Sequence, residues 1–162
     1  MTEDLESGAY GIKVADFGYS CCSTTDDDLL LVPQTRPWEA PEWHHRFFAV
    51  LDAKRMDIYS FGLLCLWLFF KGKPVDPGTS QPTLDMAFSG QSRAAVDRLD
   101  LLKREDNLLW YAQEWLKGED MPEHTRSSLS TVFRGTICKD PKQRTITWDD
   151  IIEVLCDKEG FM

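Results

Sequence analysis

Ile12 and Val14 flank Lys13 in an apolar–polar alternation over residues 11–15. A period of two predicts a short, half-buried strand there. It runs into Asp16-Phe17-Gly18, and a polar loop follows from Tyr19 to about Asp28. Pro33, Pro37 and Pro41 then predict an extended path to Glu42, because proline fixes φ and biases the residue before it away from helix. Residues 57–70 are apolar nearly all round, which predicts a helix buried at the centre of the molecule. Gly72, Pro74, Pro77 and Gly78 break it.

The remainder predicts helices. A short one begins near Ser80-Gln81-Pro82 and runs toward Phe88. A second covers 92–104, with Val96 and Leu99 inward. A third is capped by Asp106, carries Leu108, Ala112, Trp115 and Leu116 on one face, and ends at Gly118. Leu129, Val132, Phe133 and Ile137 mark a fourth. Thr147 and Asp150 form an N-terminal capping arrangement, after which Ile151, Ile152 and Leu155 line the last helix. One strand followed by helices leaves that strand without a partner, since a complete α/β domain shows more strands.

Composition narrows the function classes. A net charge of −9 argues against a nucleic-acid-binding surface, which needs clustered Lys and Arg. The apolar run at 58–70 is too short to cross a bilayer, and residues 1–8 are polar and acidic, unlike a signal peptide. Cys21, Cys22, Cys65, Cys138 and Cys156 are odd in number and scattered, without a CxxC pair. That pattern fits reduced thiols in a cytoplasmic or nuclear protein, not a secreted one, and gives no zinc site. His44 and His45 are adjacent, so on a helix they point to different sides and share no metal. The tryptophans, among them Trp67, Trp110, Trp115 and Trp148, are expected as core anchors.

Chemistry enters through four ordered segments: Asp16-Phe17-Gly18 after its strand, Thr35-Arg36-Pro37-Trp38-Glu39-Ala40-Pro41-Glu42, Asp57-Ile58-Tyr59-Ser60-Phe61-Gly62, and Asp140-Pro141-Lys142-Gln143-Arg144. In this order the chain resembles the C-terminal lobe of a protein kinase catalytic domain from the DFG segment onward. The resemblance runs from about Ile12 to Leu155. It implies a mainly α chain: a truncated C-lobe of the α+β protein-kinase-like fold, with a short strand before DFG and a central buried helix. Residues 1–162 would be one partial kinase domain, with 75–125 an unmatched helical insert.

The resemblance also implies roles. Asp16 would hold the magnesium that bridges ATP phosphates, with Phe17 and Gly18 shaping the turn after it. Ser23, Thr24, Thr25 and Thr35 would belong to the activation loop or face substrate. Asp57 would anchor the catalytic loop, and Arg144 would pair with Glu42 through its planar fork. The Gly-rich loop, the phosphate-binding lysine and the catalytic base would precede Met1. No catalytic base therefore lies within 1–162. ATP and magnesium belong to an intact domain and are not expected to bind this chain tightly. An intact domain would transfer the γ-phosphoryl of ATP to Ser or Thr of a protein substrate, Thr35 favouring that class.

The alternatives are a noncatalytic scaffold that binds a partner kinase or regulator, or a gene remnant. With the preceding helix and the catalytic loop missing, one side of the central helix is expected to lie exposed beside Asp57 and to favour self-association. Leu108, Trp110 and Trp115 of the insert are the residues expected to cover it.

Overall fold

The computed structural model describes Ser20, Thr25 and residues 28–43, 47–76 and 78–156. The strand expected at 11–15, the histidines 44 and 45, and Cys21 and Cys22 lie outside the described residues.

Two strands that the sequence did not announce open the described chain. Strand β1 (Leu29–Leu31) pairs antiparallel with β2 (Phe47–Ala49), Leu30 opposite Phe48 and Leu31 opposite Phe47. Alternation places Phe48 in the core with Leu30 packed against it, and leaves Leu29, Leu31 and Phe47 outward. Three-residue strands are too short to show a period, which is why the sequence did not announce them. Their ladder closes the base of a loop that carries Thr35–Glu42. That loop is not extended as its prolines suggested. It turns twice, with Trp38 N–H donating to Thr35 O at 2.7 Å and Trp43 N–H to Ala40 O at 3.0 Å. Pro41 takes the second position of its turn, which suits proline, and Pro37 takes the third position of its own as a cis proline.

Helix α1 (Val50–Phe70) starts seven residues before the predicted helix, directly from β2. It is the central element and packs against α5 (Glu123–Thr136), α2 (Leu84–Phe88) and the strand pair. Tyr59, Leu63, Leu66 and Phe70 are fully buried along it. Its glycine is demanded by packing. A Cβ on Gly62 would lie 2.2 Å from Thr136 Oγ1, so the α1 backbone packs directly on the Thr136 and Ile137 side chains. The helix is not buried all round, however. Leu64, Leu68 and Phe69 are 39%, 56% and 48% exposed.

Residues 75–125 fold as helices, as expected, and contribute to the core. Helix α2 is capped by Thr83 and α3 (Arg93–Arg104) by Ser92, each side chain accepting from a backbone N–H in the first turn. Val75, Leu84, Leu99 and Leu102 are completely buried. Helix α4 (Leu108–Gly118) follows, but Asp106 does not cap it. Asp106 sits at φ 61 in the left-handed region, and its carboxylate instead accepts from Lys139 N–H at 3.0 Å. Acidic residues tolerate that conformation through local hydrogen bonding.

The insert does not cover the exposed side of α1. Leu108 enters the core and Trp115 meets Phe70 at the end of α1, while Trp110 is 57% exposed. A 3-10 turn (Pro141–Gln143) leads to α6 (Trp148–Cys156). The reciprocal cap is present: Thr147 N–H donates to Asp150 Oδ2 at 2.8 Å, and Asp150 N–H to Thr147 Oγ1 at 3.2 Å. Ile151 is buried and Leu155 packs on the core, but Ile152 is exposed, and Cys156 is exposed rather than on a covered face. Cys65 and Cys138 are buried free thiols, and burial pushes the Cys65 thiol up to about 11. No helix among the described residues is long and apolar enough to cross a membrane.

Candidate functional site

The described part of the site is the Thr35–Glu42 turn and the side chains that reach it from the rest of the chain. Arg144, 3% exposed, stands just after the 3-10 turn. Its guanidinium grips Glu42 with both prongs, Nη1 to Oε1 at 2.5 Å and Nη2 to Oε2 at 2.9 Å. The remaining N–H groups donate to the carbonyls of Cys138, Arg55 and Lys139 at 2.8, 3.3 and 3.0 Å. Every donor of the fork is thereby used, which a buried cation requires. Beneath it lies the Tyr59 ring, 4.5 Å from the guanidinium carbon. Burial holds the Tyr59 phenol far above its ordinary value.

The segment 57–62 now has physical roles residue by residue. Tyr59 supports Arg144, Gly62 admits α5, and Ser60 Oγ donates to Trp38 O at 2.9 Å, fastening the turn to α1. The catalytic loop that Asp57 would anchor is not part of residues 1–162, and Asp57 is exposed at the start of the bare stripe of α1. Although its surface is open, neighbouring protein crowds it enough to push the carboxyl above the ordinary carboxylate range.

The opposite side of the turn is held by residues that sequence reasoning missed. Lys103 of α3, 3% exposed, donates from Nζ to Pro37 O and to Glu39 O, the latter at 3.1 Å. Asp100, one turn earlier and 8% exposed, ion-pairs with Arg36 across 64 residues of chain. Burial pushes the Lys103 ammonium below its ordinary value, and the neighbouring Asp100 carboxylate opposes that shift. A signal was present. Val96, Leu99, Asp100 and Lys103 follow the spacing of one helix face, so two charges lay on the face predicted to be buried. Buried charges of opposite sign at that spacing announce a partner elsewhere in the chain.

Trp38 packs on Phe88 with ring centroids 4.5 Å apart and meets Trp67 edge-on at 6.2 Å. Trp67 in turn donates from Nε1 to Asp85 Oδ1 at 2.9 Å. Thr35 and Thr25 are exposed. The structure thus brings Thr35, Glu42 and Arg144 to one place and leaves Asp57 apart from them. Asp16, Phe17, Gly18, Ser23 and Thr24 lie outside the described residues. Among the described residues, no group of three or more His, Cys, Asp or Glu is placed to hold a metal ion. Compared with protein-family models, curated proteins and solved structures, the chain matches none.

Proposed function

We propose that this chain is the C-terminal part of a protein-kinase-like domain. In an intact domain it would help transfer the γ-phosphoryl group of ATP to Ser or Thr of a protein substrate. One observation carries the reading. Glu42 and Arg144 belong to separate segments, each similar to a kinase motif, and they meet across 102 residues in a two-pronged pair whose arginine is buried. A chance resemblance of short motifs gives no reason for such a meeting. Ser60 and Gly62 of a third such segment add support, since each makes a contact that its residue type suits.

Within this reading the turn is the platform for a protein substrate, with Thr35 at its surface. Asp16 would supply a hard oxygen ligand for magnesium, and the ion would neutralise phosphate charge on a bound nucleotide. Phosphoryl transfer needs positioning by several groups together, and residues 1–162 contain no segment resembling a Gly-rich phosphate loop or a catalytic base loop. The chain alone is therefore expected to be inactive and to hold nucleotide weakly.

A second reading, a noncatalytic module that binds a partner kinase, a regulator or its own copy, is favoured by the stripe from Asp57 through Phe61 to Leu64 and Leu68. These residues share one face of α1, and Leu64 and Leu68 are exposed. The coding sequence upstream of Met1 separates the readings. An in-frame His-Arg-Asp-type loop supports the catalytic one. A stop codon directly upstream supports the binding module or a gene remnant.

A further inference from the structure

Residues 75–125 match no part of the kinase resemblance, yet two of their helices grip the Thr35–Glu42 turn. Lys103 of α3 directs its ammonium at the carbonyls of Pro37 and Glu39, and Asp100 takes the Arg36 guanidinium. Phe88 of α2 lies against Trp38. Burial decides which of these contacts holds. Arg36 is 43% exposed and its pair is open to solvent screening, whereas Lys103 is closed off from water. Were the turn to leave, Lys103 would lose both carbonyl acceptors and keep only Asp100, 3.5 Å away.

We propose that α3 is a built-in brace for this turn, with Lys103 and Asp100 as positioning residues that hold it in one conformation without any phosphoryl group. Segments ordered by phosphorylation gain their order from new arginine–phosphate pairs. Here the arginine of the turn is already engaged by carboxylates of its own chain, Asp100 first and Asp97 and Glu39 within 4 Å. That the turn faces a protein substrate rests on the kinase-like reading. That it is braced does not.

Hydrogen–deuterium exchange on the full 162-residue chain, produced in bacteria and shown by mass to be unphosphorylated, tests the brace. The amides of Trp38 and Trp43, both hydrogen-bonded within the turn, are expected to be protected. Lys103→Met is expected to speed exchange over 36–43 roughly tenfold or more while α5 keeps its protection. An unprotected turn in the unmodified chain, or an unchanged rate in a folded Lys103→Met variant, overturns the proposal. Should Lys103→Met fail to fold, Asp100→Asn, which removes the buried carboxylate that takes Arg36, decides. Faster exchange confined to the turn supports the brace, and an unchanged rate overturns it. A braced turn in a domain that never transfers phosphate would leave this proposal standing and remove only the kinase-like reading.

Discussion

Arg144 spends every N–H of its guanidinium on Glu42 and three backbone carbonyls, and it does so from a fully buried position. Removing one partner strands the other. Arg144→Ala is expected to cost about 3–5 kcal/mol in urea unfolding, because Glu42 and the carbonyls lose their donors. Glu42→Gln keeps one acceptor and is expected to cost less. A double-mutant cycle should return a large coupling, and additive effects of the two substitutions would mean the pair does not form in solution.

Gly62 reports the crossing of α1 and α5. A methyl group there meets Thr136 Oγ1, Thr136 Cβ and Ile137 Cγ2 inside contact distance, and Thr136 is itself fully buried and bonded to Val132 O at 2.7 Å. Gly62→Ala is expected to lower stability by about 1–3 kcal/mol through overpacking, despite the better helix propensity of alanine. Adding Thr136→Ala should recover part of the loss. An unchanged thermal midpoint in the single variant would show that the helices lie further apart.

Two aspartates are expected to give opposite pH responses. Crowding raises Asp57 above its ordinary 3.8, so the folded state holds that proton longer than the unfolded chain does. Stability therefore falls as pH rises through the interval above 3.8, and Asp57→Asn should stabilise at neutral pH with the gain vanishing in acid. The Thr147 side chain and backbone donors lower Asp150 below 3.8. Its contribution is present above 3.8 and is lost as pH falls through the depressed value. Asp150→Asn should thus destabilise at neutral pH, the difference closing in acid. Melting curves of both variants from pH 3 to 7 check the signs.

The bare stripe of α1 makes a surface prediction. Leu64 and Leu68 lie on one face, and beside them Phe61 meets the half-exposed Trp148 at 5.2 Å. The purified chain is expected to bind a hydrophobic dye and to self-associate, and Leu64→Lys with Leu68→Glu should reduce both. Equal dye binding by the double variant would place the sticky surface elsewhere, with Leu29, Leu31 and Phe47 of the strand pair the next candidates.

What could be read in advance followed the reach of each signal. The helices of 84–156 showed in their apolar spacing and caps, and Thr147–Asp150 capped α6 as its sequence indicated. The Glu42–Arg144 pair was legible because two motifs named both ends. The brace was not. Lys103 and Asp100 satisfy their charges against Arg36 and the carbonyls of Pro37 and Glu39, and periodicity within one helix cannot name a partner 64 residues away. The seven extra residues of α1 were missed because Asp52, Lys54 and Arg55 interrupt the apolar run, although the helix leaves Asp52 and Lys54 exposed and Arg55 half-buried. The open side of α1 beside Asp57 was expected from the absence of the catalytic loop, and Asp57 lies exposed there.

Phosphoryl transfer from labelled ATP is the most direct measurement. It should compare the 162-residue chain with the same chain joined to its in-frame upstream segment, each with magnesium and a mixture of Ser/Thr and Tyr peptides. The chain alone is expected to incorporate nothing, while the extended chain should label Ser or Thr and lose that labelling in Asp16→Ala. Transfer by the chain alone that disappears in Asp16→Ala would contradict the expected inactivity of residues 1–162, and a folded extended chain that neither binds nucleotide nor labels any peptide would contradict the kinase-like reading.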